Sequence, residues 1–352
     1  MTMSRDSHGR TGTAWATIRD VAARAGVSVS TASKALSNKD QVAAVTKQRV
    51  LDAAAELHFA PNALIRSLQR GQTRTVGVLA WPMQTNTTMD ITMSLLKGVA
   101  DGVAATSRDL LLYSQTPASK TAVPVSTFLD GRVDGVVLGP GVLSEANLRA
   151  LASSGLPAVV VYRGDVPEQM GSVTVDNEHG IESAVAHLVA LGHRRIACCI
   201  PCASTDLIER LSGYKTGLAL QGIAFDADLV VSPPEWFFDL SSAADALFHL
   251  PEPPTALIAG DDHIAFRWIE HLRARGLSVP EDISIVGFDD SAAAGIGSGL
   301  TTVRQPAQEV GRLAGVFVDR LIAGIPAEEC RAELPVELVV RGTTGPPKPQ
   351  GR

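Results

Sequence analysis

The sequence contains little cysteine, few aromatic residues and no overall basic charge, and it lacks long apolar runs. Its 352 residues include four cysteines and 5% aromatic residues, and 31 Lys and Arg against 37 Asp and Glu give a formal net charge of −6. No stretch reaches the roughly 18 apolar residues of a membrane span. The polar residues 1–16 contain no apolar core of a secretory signal. We therefore expect a cytoplasmic protein.

The cysteines and the missing catalytic motifs narrow the class further. Cys198, Cys199 and Cys202 crowd one apolar run, which is neither a disulfide framework nor two separated ligand pairs of a zinc site. The chain has no Gly-x-Ser-x-Gly, phosphate-loop or His-Glu-x-x-His motif. We expect a reducing compartment, no metal, no cofactor and no enzymatic activity.

The charge is unevenly distributed along the chain. Residues 1–70 hold ten Lys and Arg against five Asp and Glu, a net charge of +5, whereas the remaining 21 and 32 give −11. A basic head on an acidic body is the asymmetry expected when one segment meets a polyanion.

The basic head has the pattern of three short helices around a tight turn. Thr17 and Asp20 have the spacing of a capping box at the start of the first helix. Gly26 supplies the turn, because a residue without a Cβ adopts positive φ at little cost. The second and third helices are predicted over Val29–Leu36 and Ala43–Leu57.

This pattern predicts a helix-turn-helix whose second helix lies in the major groove of DNA. The start of that helix offers short hydroxyls, a valine and a lysine to base edges and phosphates. A small three-helix bundle with solvated charges is the alternative interpretation. The residues of the head that we assign to DNA contacts are Thr17, Ser28, Val29, Ser30, Thr31, Ser33 and Lys34.

In the acidic body, short apolar runs alternate with amphipathic helical stretches. Continuous apolar strands between helices are typical of parallel sheets covered on both faces. Two such blocks follow one another, which predicts two α/β lobes. The runs are Val76–Ala80, Leu110–Tyr113, Val133–Leu138, Ala158–Tyr162, Val173–Val175, Ile196–Ile200, Ala256–Ala259 and Ile283–Phe288.

The head, TIRDVAARAGVSVSTASKALSN over residues 17–38, resembles the helix-turn-helix of the LacI/GalR transcriptional regulators. The match to that family's pattern is nearly complete. It departs at Ala32, Lys34 and Ala43, where the family usually has Val, Arg and a helix-capping Ser. Lysine lacks the bidentate fork with which arginine reads guanine, so the base preference at that position stays open.

The body is similar to the same family over nearly all of residues 17–345. The resemblance implies two doubly wound α/β lobes of the periplasmic-binding-protein type, joined by three crossings with a ligand between them. It also implies a ligand-responsive transcriptional repressor that binds an operator in double-stranded DNA as a homodimer. The eleven residues after Arg341 carry no leucine heptad, which favours a dimer over a tetramer. The matching segments are 187–197, 283–290, 300–306 and 334–344.

The connector after Pro61 is similar to the hinge helix of this family. Its sequence NALIRSL allows about two helical turns, too few to be stable alone. In the family this helix folds against its dimer mate in the minor groove and inserts a leucine between base pairs. The resemblance implies DNA contacts by Asn62, Arg66 and Leu68, with a plain flexible linker as the alternative.

Polar and aromatic side chains follow several predicted strands, where open α/β sheets bind ligands. Arg210 resembles the effector-binding arginine of the family, and Asp261 stands where many sugar-binding relatives have Asn or Asp. An arginine donor, carboxylate acceptors and indole faces suit a neutral sugar or polyol. A cap or salt-bridge role is the alternative for each aspartate. The residues assigned to the ligand are Trp81, Arg210, Trp236, Asp261 and Asp289.

The sequence thus predicts an all-α helix-turn-helix domain followed by two α/β lobes. Alternative functions are a regulator that responds to a nucleobase or a protein co-repressor, and a ligand-binding protein without a DNA function. Within the effector-binding and dimerisation domain, lobe 1 is expected at about 75–163 and 304–332, and lobe 2 at about 164–303 and 333–345. The predicted segments are a disordered leader (1–16), the helix-turn-helix domain (17–61), the hinge and linker (62–74), the effector-binding domain (75–345) and a tail (346–352).

Overall fold

A computed structural model of the chain forms two compact units, Met1–Thr73 and Arg74–Arg352. No helix among the described residues is long and apolar enough to cross a membrane. The predicted hinge contacts Asn62, Arg66 and Leu68 and the indoles of Trp81 and Trp236 lie outside the described residues. The structure describes residues 16–37, 42–60, 71–79, 86–113, 123–139, 143–202, 204–232, 239–295 and 297–348.

The described residues of the first unit form three helices, α1 (Ile18–Ala25), α2 (Val29–Leu36) and α3 (Ala44–Glu56). Helix α1 lies between the predicted cap Thr17 and turn glycine Gly26, and α2 and α3 are within one residue of their predicted bounds. Helix α3 starts after Ala43 without a side-chain cap. Small side chains fill the core, which allows these short helices to cross closely. The buried residues are Val21, Ala22, Ala25, Ala32, Ala35, Val50, Ala53 and Ala54.

The two helix starts and the turn follow from local chemistry. The carboxylate of Asp20 accepts hydrogen bonds from the backbone N–H and the hydroxyl of Thr17, both at 2.7 Å. Gly26 ends α1 in the left-handed region with φ of 63°. Ser28 caps α2, since its Oγ accepts from the backbone N–H of Thr31 at 3.1 Å. These groups satisfy N–H donors that a helix start leaves free.

The second unit alternates strands and helices along the chain. Its helices are α4 (Asn86–Ala104), α5 (Glu145–Ser153), α6 (Asn177–Ala190), α7 (Thr205–Leu220), α8 (Leu240–Phe248), α9 (Asp262–Ala274) and α10 (Ala307–Ile322). Its strands are β1 (Thr75–Leu79), β2 (Asp109–Tyr113), β3 (Gly135–Leu138), β4 (Ala158–Val161), β5 (Gly171–Val175), β6 (Ile196–Cys199), β7 (Val230–Val231), β8 (Ala256–Ala259), β9 (Ser284–Asp289), β10 (Thr301–Arg304), β11 (Arg331–Leu334) and β12 (Glu337–Val339).

The strands form two six-stranded sheets, one for each lobe. The first has the order β11-β5-β4-β3-β1-β2 and is parallel throughout. The second has the order β12-β10-β9-β8-β6-β7, with β12 antiparallel to β10. Each of the eight predicted apolar runs overlaps a strand. Strands β3, β4, β5, β6 and β8 are buried along their whole length. The predicted two-lobed α/β fold is confirmed.

The predicted first boundary between the lobes, after residue 163, is wrong by one strand. Strand β5 belongs to the first sheet, where Gly171 pairs with Val159 of β4. A short apolar run suits either sheet, so only the pairing decides its lobe. The chain changes lobe after β5, after β10 and between β11 and β12. The boundaries expected after residues 303 and 332 therefore cut the end of β10 and the middle of β11.

Helices α4 and α10 pack together against the first sheet at unusually short range. Each carries two glycines four residues apart, Gly98 and Gly102 on α4 and Gly311 and Gly315 on α10. A Cβ added to Gly98 would lie 2.0 Å from a backbone carbonyl oxygen of α10, and one on Gly311 would lie 2.1 Å from a carbonyl oxygen of α4. Only glycine permits this approach, which joins the last helix of lobe 1 to its first.

Candidate functional site

In the first unit, one face of α2 is open to solvent and has the composition expected for DNA contact. Val29, Ser30 and Lys34 are exposed, and the side chain of Val29 is 43% accessible although it is apolar. Ala32 and Ala35 are buried against the other two helices, so packing determines which face stays open. The predicted base-reading residues thus lie together on the exposed side, with Ser33 half-buried beside them.

Three of the hydroxyls assigned to DNA also have a structural role. The Thr17 hydroxyl donates to Asp20, and the hydroxyls of Ser28 and Thr31 lie 2.9 Å apart. Hydrogen bonding to Thr17 lowers the pKa of the Asp20 carboxyl, so Asp20 is ionised at the N-terminus of α1. These contacts hold the helix starts in place, which is the precondition for a phosphate contact there.

In the second unit, Arg210 of α7 is the centre of a buried polar cluster. It is 3% exposed, its Nε donates to Asn177 Oδ1 at 2.9 Å, and its Nη1 donates to the Gly260 carbonyl at 2.7 Å. Its guanidinium also lies over the ring of Phe288, 3.6 Å from the centroid. The arginine expected to donate to a ligand therefore has protein partners of its own.

Asp289 lies at the carboxyl end of β9, where the sequence placed it. Its Oδ1 is 3.9 Å from Arg210 Nη1 and accepts a hydrogen bond from Gln305 Nε2 at 2.5 Å. Burial raises the pKa of this carboxyl, and the charges of Asp261 and Asp262 raise it further. The backbone of Asp289 has φ of 122°, a strained conformation for a residue with a side chain. Such strain is characteristic of ligand-binding positions.

Asp261, also assigned to the ligand, caps a helix in this structure. Its Oδ1 accepts from the backbone N–H of Ile264 at 2.6 Å at the start of α9. The next residue, Asp262, accepts from the hydroxyl of Thr302 at 2.6 Å and from the Ser291 N–H at 2.7 Å. Burial raises the pKa of Asp261 and brings that of Asp262 to about 7. Both carboxyls belong to the Arg210 cluster, and Asp261 has the capping role weighed as the alternative.

Asp206, Gln305 and Tyr162 are among the side chains of this cluster that sequence reasoning missed. Asp206 lies one turn before Arg210 on α7, with Oδ2 3.6 Å from Nη2. Gln305 directly follows β10, and Tyr162 directly follows β4. The strand-end rule could have found the latter two. Burial raises the pKa of the Tyr162 hydroxyl, and the charges of Asp289 and Asp206 add to this, so a group of the first lobe faces the cluster of the second.

An open groove of about 460 Å³ adjoins the cluster. Asp289 and Gln305 line it from the second lobe and the crossing, and Ile91 and Ser94 of α4 line it from the first lobe. Small-molecule sites typically enclose a few hundred to about 1,000 Å³. The groove is therefore of a size for a small molecule, and Asp289 and Gln305 connect its wall with the buried Arg210 network.

The comparisons with known proteins match both units. Residues 17–62 match the family of bacterial regulatory proteins, lacI family, and residues 185–344 match the periplasmic binding protein-like domain. The transcriptional repressor CytR of Escherichia coli (strain K12) is 31% identical over 340 residues, 94% of this chain and 96% of CytR. The chain belongs to the lacI family of bacterial regulatory proteins.

Solved structures of LacI-family members agree with this assignment. The lac repressor dimer bound to operator and the anti-inducer ONPF has a TM-score of 0.78 at 27% identity, covering 94% of this chain and 99% of that one. The complex of the regulator CelR with cellobiose has a TM-score of 0.67 at 29% identity, covering 93% and 99%. The LacI-family protein described here is thus a DNA-binding transcriptional regulator and not an enzyme, as its sequence predicted.

Proposed function

We propose that this LacI-family regulator is a repressor whose affinity for a specific operator is controlled by a sugar or polyol bound between its two lobes. The observation that carries the DNA part is the exposed face of α2, where Val29, Ser30 and Lys34 stand on a helix held by buried alanines. An apolar side chain left open beside a lysine suits the thymine methyls, base edges and phosphates of a major groove.

The ligand part rests on the Arg210 cluster and the groove beside it. Asp206 and Asp289 each lie within ion-pair distance of Arg210. Asp289 is at the carboxyl end of β9, and Asp206 and Arg210 belong to α7, which follows β6 of the same sheet. The first lobe contributes Tyr162 from the end of β4. The complex of the relative CelR with cellobiose supports a sugar-like effector for this chain too.

The proposed mechanism is a linkage between two binding sites. In a homodimer, two helix-turn-helix units engage a pseudo-palindromic operator, and the connector with Asn62, Arg66 and Leu68 adds minor-groove contacts. The dimeric lac repressor on its operator supports this arrangement. An effector that binds one arrangement of the lobes better than the other shifts the population and so the operator affinity.

The DNA part is tested by mobility-shift titrations with the DNA upstream of the protein's own gene and with unrelated DNA. We expect a specific, salt-sensitive shift, because phosphate contacts release counterions. Lys34→Ala should weaken binding to the specific site and relax the preference at one base pair, at a cost of about 1–3 kcal/mol. The absence of any specific shift at this or related operators would contradict the regulator function.

Arg49→Ala is the matched control, since Arg49 is exposed on α3 rather than on the base-reading face of α2. Its charge suits a phosphate contact, so its loss should weaken binding to specific and unrelated DNA alike. Equal losses for Lys34→Ala and Arg49→Ala on both DNAs would refute base reading by α2.

A further inference from the structure

The cluster around Arg210 contains more acidic than basic side chains. Asp206, Asp261 and Asp262 are 6%, 7% and 1% exposed, and Asp289 joins them. Arg210 is buried among them. The charge of His263 lowers the pKa of Asp261 against the effect of burial. The N-termini of α7 and α9 each contribute about half a positive charge. Arg210 and the two helix ends together offset about two of the charges of four ionised carboxylates, which leaves an excess of about two negative charges.

The guanidinium of Arg210 has few donors left for a ligand. Its Nε donates to Asn177 Oδ1 and its Nη1 to the Gly260 carbonyl. Its Nη2 lies 3.6 Å from Asp206 Oδ2. One face of its plane is covered by Phe288. An anionic ligand that needs hydrogen-bond donors from this arginine would have to displace the protein groups that they now bind.

The buried polar atoms of the cluster without a partner include two acceptors. Among the described residues, Asp206 Oδ1 and Gln305 Oε1 are fully buried and have no hydrogen-bond partner. Gln305 uses its amide N–H for Asp289, so its free oxygen can only accept. An unsatisfied buried acceptor is costly unless a donor arrives from outside the protein. These two acceptors therefore lack donors, and a ligand can supply them together with positive charge.

The charges elsewhere along the groove are already paired. Asp290 binds Arg304 at 2.7 Å and Arg341 at 2.6 Å, and Glu309 binds Arg312 at 2.6 Å. Within the described part of the chain, no group of three or more His, Cys, Asp or Glu side chains is placed to hold a metal ion. The excess of negative charge is therefore local to the Arg210 cluster and does not have the form of a metal site.

We propose that the effector is a hydroxylated molecule carrying a protonated amine, such as an amino sugar or amino polyol, whose ammonium group is held by Asp206 and Asp289. The inference rests on the proposed ligand-binding function and specifies its chemistry. An ammonium group donates three hydrogen bonds and carries the missing charge. Hydroxyl groups on the same molecule can donate to Gln305.

Protonation of the carboxyls is the competing way to relieve the excess charge. Burial raises the pKa of Asp262 to about 7 and raises those of Asp261 and Asp289. If these carboxyls are protonated, the site suits a neutral sugar. If they are ionised, it suits a protonated amine. The two states therefore select different ligands, and a binding comparison separates them.

The test is calorimetric titration of the full chain with matched pairs that differ only by an amine in place of a hydroxyl. Glucosamine with glucose, galactosamine with galactose, and the amino derivative of sorbitol with sorbitol are suitable probes, with gluconate as an acidic comparison. In at least one pair the amine should bind more than tenfold tighter than its partner, and gluconate should not bind. The inference is overturned when no amine binds, or when the neutral member of every pair binds as tightly as its amine.

A charge-removing variant locates the ammonium group. Asp206→Asn keeps the shape and should abolish the tenfold preference while leaving the hydroxyl member within about threefold of the wild-type protein, and Asp206→Glu, which keeps the charge, should retain the preference. The control Asp245→Asn removes a surface carboxylate that pairs with Arg275 and should change neither. An unchanged preference in Asp206→Asn also overturns the assignment.

The two proposals fail in different ways. Tight binding of a neutral sugar supports the proposed function and removes the amine inference. Specific operator binding without binding of any probe removes the amine inference and leaves the DNA part of the proposed function intact.

Discussion

Arg210 joins several buried groups of the second lobe. It lies between Asp206 and Asp289, donates to two further groups and stacks on Phe288. Removing one member of a buried charge network leaves its partners uncompensated, which costs more than the network contributes to stability. A substitution here therefore tests folding and binding at once.

Arg210→Ala is expected to abolish the response to effector and to lower the free energy of unfolding by about 3–5 kcal/mol. Chemical denaturation measures the stability change, and operator titrations below the melting temperature should show retained DNA binding. Arg275→Ala removes a partly exposed arginine that also pairs with an aspartate, and should cost less than about 1 kcal/mol. Equal costs for both variants would show that the Arg210 network is not buried in solution.

Asp262 makes the stability of the second lobe depend on pH. The unfolded side chain ionises near pH 4, whereas burial keeps the folded one protonated up to about pH 7. Between these values the unfolded state gains from ionisation and the folded state does not. The contribution of Asp262 therefore lowers stability as pH rises, by up to roughly 1.4 kcal/mol per pH unit, until the folded pKa is passed.

Asp262→Asn should remove this dependence, because an amide can accept from the Ser291 N–H and donate to the Thr302 hydroxyl. The free energy of unfolding of the variant relative to the wild type should increase between pH 5 and pH 7.5, measured by urea denaturation. For Asp282→Asn the difference should stay constant over this range, because contacts with Lys348 and Ser278 lower the pKa of Asp282 and it is ionised throughout. A constant difference for Asp262→Asn would contradict the raised pKa.

At the scale of elements, the pair of α4 and α10 determines how lobe 1 is closed. The chain leaves lobe 1 after β5 and returns only after β10. Helix α10 therefore packs beside α4 although most of lobe 2 separates them in sequence. The glycines at the contact allow backbone to approach backbone, which makes the fit selective. This interface tolerates no added side-chain volume.

Gly311→Ala is expected to destabilise the second unit by about 3 kcal/mol, because its Cβ would lie 2.1 Å from a carbonyl oxygen of α4. Gly164→Ala is the control, since a Cβ there would meet its nearest atom at 3.8 Å. Thermal unfolding of both variants compares them directly. A Gly311→Ala protein as stable as Gly164→Ala would show that the two helices can separate without cost.

At the scale of the whole molecule, the charge division seen in the sequence corresponds to two compact units. The net charge of +5 falls on residues 1–70, and −11 on the rest, close to the division at Thr73. The negative body includes the buried carboxylates of the Arg210 cluster. An overall acidic chain is thus compatible with DNA binding, because the basic unit meets the phosphates.

Reciprocal coupling is the prediction that belongs to this scale. An effector that changes operator affinity must find its own affinity changed by operator DNA by the same factor, typically 5–150-fold, or about 1–3 kcal/mol. Fluorescence anisotropy with labelled operator, with and without effector, gives one factor, and calorimetry with and without operator gives the other. A bound effector that leaves operator affinity unchanged would show that the groove does not control DNA binding.

Much of this molecule follows from local sequence. Thr17, Gly26 and Ser28 define the helix starts and the turn because caps and positive φ depend on single residues, and buried apolar runs define the strands because an extended chain covered on both faces must be continuously apolar. The helix-turn-helix and the family were therefore predictable.

Tertiary structure alone decided the rest, because it depends on which distant segments meet. Pairing assigned β5 to the first lobe, although its apolar sequence suited either one. Folding brought Tyr162 and Gln305, from the ends of β4 and β10, into the cluster around Arg210, and it committed the donors of that arginine to protein partners. Whether a buried carboxylate is paired, protonated or left for a ligand depends on neighbours distant in sequence, which the order of residues alone does not specify.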